Sequence, residues 1–529
     1  MPGLWRKQDL AQTGLGANRT WRKQYLAQTV SGAKWGIAAI QNRMPNALQD
    51  SAPIPQPPLS SAAQISATTI WKIFWCAAVS FAPFLFLQYE GEEPFFTIIA
   101  QEMWASRDFT HITHLGNEYP RPGLFPWLII ALSTGLGWDY VLIAARAIAV
   151  MSTILTGLTV AWLATRIFKD CLIAAFAAAI FLSGDVLLYR GWLAYSDPVF
   201  ALFTFGAMAC LWVATEERRN DLLALAALGL VGAFLSKVPT TYVFYGTLGL
   251  VLLWKHENRF FLFRPVSLAV HAAAIAFPLL WSYGIVGNSY FDASVTNLLW
   301  TTLHPPSWGE YVTDFIAFPF SVTMHLLPAS AVAIYAIYSR QFDLSQRNRS
   351  IDIAVWTALL SLIPYWISPY GSTRYILPTF PFFALVMAYV IFLSGKFLSD
   401  MMTKLLVANI AIGLVGSLVA IPLYQRYVRG NYAELARMIQ AHVGEEAIYA
   451  NDVTAVGLSL VANLNTIRPS RPPITSPPPN FSSGYVLARE VDPNFGDVSL
   501  TFSVGRNADG KRTRYLLCRG SACTQPKAP

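Results

Sequence analysis

Long apolar runs separated by short polar breaks occupy the chain between residues 71 and 423. Most of these runs are about 15 to 25 residues long, which is close to the roughly 20 residues that a transmembrane helix needs. The pattern predicts an all-α polytopic membrane protein with about 11 spans, within a range of about 10 to 13. The predicted spans lie at roughly 71–88, 140–165, 172–188, 198–214, 222–236, 240–254, 266–286, 314–338, 352–367, 376–393 and 405–423.

A further apolar run, 124–136, is ambiguous because its roughly 13 residues are few for a span. The distribution of Lys and Arg resolves the ambiguity. If residues 1–68 lie inside and 124–136 does not cross, all five basic loops fall on the inner side, and if it crosses, all five fall outside. The positive-inside rule therefore predicts that 124–136 lies at the outer interface or is re-entrant. The five loops carry Arg166/Lys169, Arg218/Arg219, Lys255/Arg259/Arg264, Arg340/Arg347/Arg349 and Lys396/Lys404.

The same topology gathers the remaining polar loops, 89–123, 190–197, 236–239, 287–313 and 368–374, on the outer side. Acids and bases from distant parts of the chain are thus predicted to converge on one membrane face. They are Glu92, Glu93, Arg121, Asp197, Lys237, His304 and Arg374.

From about residue 425 the composition changes, and the patterns predict a small α/β domain. Helices are expected at 432–443 and 453–464, strands at 447–450, 485–489 and 514–518, and a proline-rich loop at 468–479. An odd number of crossings from an inside N-terminus puts this domain outside. The predicted organisation is a cytoplasmic basic tail (1–68), a membrane domain (69–424) with its first periplasmic loop at 89–139, and a periplasmic α/β domain (425–529).

Two of the five cysteines, Cys518 and Cys523, fall in this outer domain and are separated by four residues. Gly520 and Ser521 between them favour a turn. The space outside a bacterial inner membrane is oxidising, so the topology predicts a disulfide between them. The alternative is a pair of free thiols in a frayed terminus.

Composition agrees with a membrane protein, since 13% of the residues are charged against about 25% in soluble domains. The net charge of +8 is attributed to inner loops and not to nucleic-acid binding. Within the basic tail the sequence WRKQDLAQT at 5–13 recurs as WRKQYLAQT at 21–29. The tail is either an arm that lies on anionic lipid or a disordered segment.

Candidate chemistry begins in the loop after the first apolar run. Glu92 and Glu93 precede Pro94, which opens a predicted amphipathic helix over 94–107. Ionisable groups beside a membrane often mark function, and a carboxylate here could accept a proton from an acceptor or orient it. Arg121 stands between two prolines, and a preorganised guanidinium suits a phosphate.

Structural interpretations stay open for these residues. Carboxylates favour helix N-termini, Arg121 could snorkel to the interface, and Asp197 could cap the next helix. Lys237 and Arg374 could anchor span ends. His111 and His114 complete no obvious metal set, and no Walker loop, dinucleotide fingerprint or HExxH motif occurs.

These segments, in this order, resemble the polytopic GT-C glycosyltransferases, in particular the bacterial 4-amino-4-deoxy-L-arabinose lipid A transferases and the related dolichyl-phosphate-mannose-protein mannosyltransferases. The resemblance covers about 85–425 and rests on an ordered set of individually weak motifs. They are Glu92-Glu93-Pro94, Tyr119-Pro120-Arg121-Pro122, the aromatic stretch 124–128, Arg190 with Asp197-Pro198, and the segments 235–239, 304–308 and 374–378.

The sequence departs from the family pattern at three positions. Glu92 replaces the usual first Asp, Phe96 stands where an aromatic hydroxyl is common, and Pro120 replaces an acid. These departures leave the sugar and any divalent metal open.

The resemblance implies a polyprenyl-phosphate-linked sugar donor, a lipid or glycolipid acceptor such as lipid A or the lipopolysaccharide core, and a single inverting displacement on the periplasmic face of a bacterial inner membrane. It makes Glu92 the base or acceptor-orienting carboxylate with Glu93 beside it, and gives Asp197 a contact with sugar or acceptor. Arg121, Lys237 and Arg374 would hold the donor phosphate. Further substrate contacts are implied for Tyr119, Arg190, His304 and Tyr375.

Two other functions remain open: a protein O-mannosyltransferase-like enzyme, and a lipid or oligosaccharide transporter without chemistry. Transporters often carry internal repeats and a site at the bilayer midplane. No half-repeat is visible here, and the polar residues fall in outer loops, which favours the enzyme. Membrane lipids are expected partners of the chain, and nucleic acid is not.

Overall fold

The computed structural model describes residues 66–119, 121–184, 190–237, 240–281, 283, 307–368, 372–505 and 513–523. The basic tail before residue 66 and the candidate His304 lie outside these ranges, so their predictions are not addressed by the structure.

The membrane part of the chain is helical, as the apolar runs predict. In chain order its helices are α1 (Ala67–Val79), α2 (Glu93–Ser106), α3 (Leu124–Leu136), α4 (Val141–Phe168), α5 (Cys171–Leu182), α6 (Ser196–Glu217), α7 (Asn220–Ser236), α8 (Thr241–Lys255), α9 (Pro265–Trp281), α10 (Trp308–His325), α11 (Ala329–Tyr338), α12 (Arg349–Ile367), α13 (Phe380–Leu393) and α14 (Lys396–Val415). Short 3₁₀ turns at Ala82–Phe86, Trp138–Tyr140, Arg259–Phe263, Leu344–Gln346 and Thr373–Thr379 join some of them.

In the described part of the chain, six helical stretches are long and apolar enough to cross a membrane, or seven if the bent pair α10–α11 forms one span. Other predicted spans form helices of 12 to 17 residues, namely α5, α7, α8 and α9. The all-α polytopic fold class is confirmed, whereas the number of eleven crossings stays a prediction. The six stretches are Ala67–Phe86, Trp138–Phe168, Ser196–Glu217, Arg349–Ile367, Thr373–Leu393 and Lys396–Val443.

Helix α6 is the centre of the membrane part. It is apolar on all sides and buried along most of its length, as expected for a helix enclosed by others. It packs against α7, α4 and α8, and α5 in turn packs against α1, α4 and α13. This arrangement fixes the N-terminal end of α6, where Asp197 lies.

The chain leaves the membrane part through a continuous helical path. Helix α14 is continued by a π-helical segment (Gly416–Ala420), one turn of α-helix (Ile421–Tyr424) and a second π-helical segment (Gln425–Arg429). Gly430, with φ +89°, then ends the helical path. A positive φ of this kind is readily adopted by glycine.

The C-terminal part contains a small α/β unit. Two helices, α15 (Tyr432–Val443) and α16 (Ala455–Ile467), pack on each other and share a core with a four-stranded sheet. The strand order is β3-β4-β6-β5, with β3 parallel to β4 and the other two pairs antiparallel. After a two-stranded hairpin, β1 (Thr113–His114) and β2 (Asn117–Glu118), the strands are β3 (Ile448–Ala450), β4 (Gly484–Ala488), β5 (Asp497–Ser503) and β6 (Thr513–Arg519).

Both predicted helices and the three predicted strands of this unit are present within a few residues, whereas β5 was not predicted. The thiols of Cys518 and Cys523 form the predicted disulfide, with their Cα atoms 5.3 Å apart. Contacts join the α/β unit and the membrane helices into one compact body, so the domain boundary at residue 425 stays a prediction.

The loop between α2 and α3 lies against this α/β unit. Ser476 N–H donates to the carbonyl of Leu115 at 2.8 Å, and Asn117 Nδ2 donates to Ser476 Oγ at 2.9 Å. Helix α2 packs along α16. The segment with the candidate acids is therefore held by the membrane helices and by the C-terminal part.

Candidate active site

Three glutamates stand close together before and at the start of α2, and each is paired with a different arginine. Glu90 pairs with Arg429, Glu92 pairs with Arg374 at 3.0 Å, and Glu93 pairs with Arg146 at 2.5 Å. The arginines come from the exit of the last membrane helix, the turn before α13 and the second turn of α4. A site is thus assembled from segments that are far apart in sequence.

Glu93 is enclosed. Its side chain and that of Arg146 are both 0% exposed. Its oxygens accept from Arg146 Nε at 2.8 Å, from the N–H of Ala194 at 2.8 Å and from the N–H of Glu90 at 2.7 Å. A carboxylate with these partners and no exposed surface is well placed to hold the backbone around it. The catalytic role that the resemblance implies for Glu93 stays a prediction.

Arg146 completes this arrangement with hydrogen bonds to backbone carbonyls. Its guanidinium binds both the carboxylate of Glu93 and the backbone of residues 84–88. Arg146 therefore fixes the backbone that leads to Glu92. A buried charge is tolerated when it is paired and its remaining donors are satisfied. The carbonyls belong to Phe84 and Gln88, both at 2.9 Å, and to Leu87.

Glu92, in contrast, is half-exposed, with 37% of its side chain accessible. Its backbone N–H donates to the hydroxyl of Tyr195 at 3.0 Å. The hydroxyl comes so close to Gly91, which has φ +58°, that a Cβ there would collide with it. Burial raises the pKa of Tyr195, which keeps its phenol protonated. Glu92 is thus an oriented carboxylate that remains accessible.

A row of basic and aromatic groups continues from Glu92. Arg374 Nη2 donates to Tyr375 Oη at 3.4 Å, and Lys237 Nζ lies 4.5 Å from the centroid of the Tyr375 ring. Lys237 in turn forms an ion pair with Asp197, and both side chains are largely buried. The structure therefore brings together four charged residues that the sequence analysis assigned to one face: Glu92, Asp197, Lys237 and Arg374.

Asp197 lies in the first turn of α6, where a carboxylate also interacts favourably with the helix dipole. Besides Lys237, the charges of Arg374 and Arg190 act on it. Its carboxylate is therefore the counter-charge of a cluster of three bases, and the predicted contact with sugar or acceptor stays a prediction.

Tyr119 and Arg121 border the same cluster. The Arg121 guanidinium lies 5.1 Å from the centroid of the Tyr119 ring. Loss of contact with water raises the pKa of Tyr119, on which the charges of Arg121, Glu92 and Arg374 also act. The loop with Arg121 therefore lies near Glu92, and the binding of donor phosphate by Arg121 stays a prediction.

Comparison with known proteins finds relatives of the chain. The family profile for dolichyl-phosphate-mannose-protein mannosyltransferases matches residues 119–282. An undecaprenyl phosphate-α-4-amino-4-deoxy-L-arabinose arabinosyl transferase of Enterobacter sp. (strain 638) is 26% identical over 260 residues, 45% of this chain and 44% of its own. A Sodalis glossinidius (strain morsitans) protein of the same description is 29% identical over 191 residues, 34% of each chain. The alignments span less than half the length of these curated relatives.

A solved structure shows the fold more completely. The crystal structure of ArnT from Cupriavidus metallidurans bound to undecaprenyl phosphate matches with a TM-score of 0.59 at 15% identity, covering 87% of this chain and 99% of ArnT. The chain has the GT-C fold of ArnT. The resemblance noted in the sequence is thereby confirmed at the level of the fold.

Within this ArnT-like fold, sequence reasoning missed Arg146 and Glu90. An available signal was the position of Arg146, since it interrupts the apolar run 140–165 and ionisable residues inside membrane segments are usually functional. Glu90 gave no comparable signal.

A metal is not supported by the residues described in the ArnT-like fold. These ranges contain no group of three or more His, Cys, Asp or Glu side chains that could hold an ion. The candidate acids instead face arginine or lysine, as the ion pairs of Glu92 and Asp197 show. We therefore derive no step through a metal.

Proposed function

We propose that the chain is a membrane glycosyltransferase that moves a sugar from a polyprenyl-phosphate donor to a lipid acceptor, with inversion, on the periplasmic face of a bacterial inner membrane. The N-terminus would lie in the cytoplasm and the α/β unit in the periplasm. The observation that carries the proposal is the accessible carboxylate of Glu92, joined through Arg374 to a row of bases.

The acid side of the site would act on the acceptor. Glu92 can accept a proton from an acceptor hydroxyl or hold the acceptor in place. Arg146 and Tyr195 fix the backbone on either side of Glu92, so its carboxylate is presented in one direction. Such positioning contributes substantially to rate, because a small misplacement of a reacting group is costly.

The basic side would act on the donor. Arg374 and Lys237 face the common ring of Tyr375, and the Arg374 guanidinium can bind phosphate oxygens in the same way that it binds a carboxylate. As the acceptor oxygen attacks the anomeric carbon, the bond from that carbon to the phosphate oxygen breaks. The bases then stabilise the charge of the departing polyprenyl phosphate.

The polyprenyl-phosphate donor is supported by the relatives, whose names describe arabinosyl transferases with an undecaprenyl phosphate-linked sugar. The lipid acceptor is the one that the family resemblance of the sequence implies. A protein acceptor is the second candidate, because the mannosyltransferase profile matches residues 119–282. Both candidates use the same donor chemistry and the same placement of Glu92.

The test is release of free polyprenyl phosphate by purified protein supplied with a labelled lipid-linked sugar and one acceptor at a time: lipid A, lipopolysaccharide core or an unfolded polypeptide. We expect release with a lipid acceptor and its loss in Glu92→Gln, while donor binding is retained. Glu118→Gln, in the exposed strand β2 of the same loop, is the matched control. Near-normal turnover in Glu92→Gln would remove Glu92 from the mechanism. If the lipid-linked sugar moves across the bilayer of reconstituted vesicles and no polyprenyl phosphate is released, the result would favour a transporter.

A further inference from the structure

The exit of the last membrane helix touches the segment before α2 through Arg429. Its Nη1 pairs with Glu90 Oε2, and its Nε donates to the hydroxyl of Tyr432 at 2.8 Å. Arg429 is only 12% exposed, and its guanidinium lies 5.2 Å from the Tyr432 ring centroid. Tyr432, the first residue of α15, is itself 1% exposed. The pair therefore joins the acid segment to the first helix of the α/β unit.

A second contact lies beside this ion pair. Gln88 Nε2 donates to the carbonyl of Gly430 at 2.9 Å, and Gln88 Oε1 accepts from the N–H of Tyr432 at 3.1 Å. An amide side chain can donate and accept hydrogen bonds at the same time, so Gln88 binds both the carbonyl and the N–H that this turn presents. The segment 88–90 is thus attached to 429–432 by side chains two residues apart.

The turn at Gly430 is in turn held by the end of β5. A Cβ at Gly430 would stand 2.7 Å from the backbone N of Gly505, so the two segments can approach only because residue 430 is glycine. Displacement of the sheet would therefore displace the turn and the arginine attached to it.

The backbone of Glu90 contacts the buried ion pair of Glu93 and Arg146. Its backbone N–H donates to Glu93 Oε2 at 2.7 Å, and the same oxygen accepts from Arg146. Glu90 thus bonds the α/β unit with its side chain and the buried ion pair with its backbone. Glu92 is two residues further on and contributes the accessible carboxylate.

We propose that Glu90 and Arg429 are positioning residues through which the C-terminal α/β unit sets the geometry of Glu92. This inference rests on the proposed function for its kinetic readout. Neither residue touches substrate; the pair acts by holding residues 88–92 in register with the bases that face them. The hydrogen bonds of Arg146 hold residues 88–92 from the membrane helices. Loss of the Glu90–Arg429 pair therefore shifts these residues without unfolding the protein.

The variants Arg429→Gln, Glu90→Gln and their combination form a double-mutant cycle in the full-length protein in nanodiscs. We expect each single change to lower kcat roughly 10- to 100-fold, since misplacing a reacting group by about 1 Å can have that effect. The KM for the donor should stay within about twofold, and the double variant should be no slower than the slower single one. Arg471→Gln is the matched control, because Arg471 forms an exposed ion pair with Glu445 in the same unit.

Hydrogen exchange gives a readout that needs no activity. Amides in residues 88–99 should exchange faster in Arg429→Gln than in the wild type, and should be unchanged in Arg471→Gln. If wild-type protein releases no polyprenyl phosphate with any acceptor, the proposed function fails, while hydrogen exchange still decides the positioning role. Unchanged exchange, additive losses of kcat, or losses that follow the unfolded fraction measured by thermal denaturation would each overturn the inference.

Discussion

Arg146 donates to both oxygens of Glu93, from Nε at 2.8 Å and from Nη2 at 2.5 Å, and water reaches neither side chain. A bidentate pair of this kind needs the planar guanidinium, which an ammonium group cannot replace. The pair stands directly beside the accessible Glu92, so its integrity determines how Glu92 is presented.

We therefore expect Arg146→Lys and Arg146→Met to destabilise the protein strongly. Arg146→Met removes one partner of a buried ion pair, which costs about 3 to 5 kcal/mol because the remaining charge is left uncompensated. Arg146→Lys keeps the charge but loses the two-point contact that the planar guanidinium makes. Thermal unfolding of detergent-purified protein should show the change as a large drop in melting temperature. Arg166→Lys is the control on the same helix, since Arg166 pairs with Glu217 at a partly exposed site. Equal melting temperatures for the Arg146 and Arg166 variants would contradict the assignment.

Arg121 provides a test of phosphate binding. We expect Arg121→Ala to weaken use of the lipid-linked donor more than Arg121→Lys. Lysine keeps the positive charge and loses only the planar set of N–H donors that the guanidinium offers to a phosphate. The measurement is the KM for the donor with the acceptor saturating. Equal and small effects of the two substitutions would show that Arg121 only anchors the loop at the interface.

Helix α3 (Leu124–Leu136) provides a test of topology. Its 13 residues make a helix about 20 Å long, shorter than the roughly 30 Å hydrocarbon core. In a background without Cys76, Cys171 and Cys210, we expect a Gly137→Cys thiol to react with an impermeant reagent from outside and a Lys169→Cys thiol to be protected. The reverse labelling would contradict the predicted topology, in which Gly137 lies outside and Lys169 lies inside.

His114 provides a test of pH dependence. It is buried against the ring of Phe95, and burial lowers its pKa to about 3. Above about pH 6.5 the imidazole is neutral in both states. Below about pH 6.5 the unfolded chain binds a proton at His114 that the folded chain does not bind. The free energy of unfolding therefore falls by up to about 1.4 kcal/mol per pH unit. Melting temperatures of wild type and His114→Phe should therefore diverge as pH falls from 7.5 to 5. Parallel curves would contradict the lowered pKa.

The sequence was most informative where local chemistry and periodicity agree. Helix α15 was predicted over its observed range, and Asn431, the residue before it, caps it by accepting from the N–H groups of Ala433 and Glu434. Strand β5 was missed because half of its residues face solvent and it lies at the edge of the sheet, where its pattern alternates weakly. The convergence of Glu92, Lys237 and Arg374 followed from charge distribution alone.

What the sequence could not supply is which acid pairs with which base. Glu92 and Arg374 are 282 positions apart, and Glu90 and Arg429 are 339 positions apart. Adjacent Glu92 and Glu93 are chemically equivalent in the sequence. Only the packing of α4 makes one of them inaccessible, through Arg146, and leaves the other open.

The distances along the chain between the three acids and their bases have a consequence for biogenesis. Translation and membrane insertion proceed from the N-terminus, so Glu90, Glu92 and Glu93 are in place long before Arg374 and Arg429 are synthesised. Until then, two carboxylates stand at the membrane surface without their counter-charges. The site is therefore completed by the last helix to be inserted, and a prematurely terminated chain would carry an unfinished site.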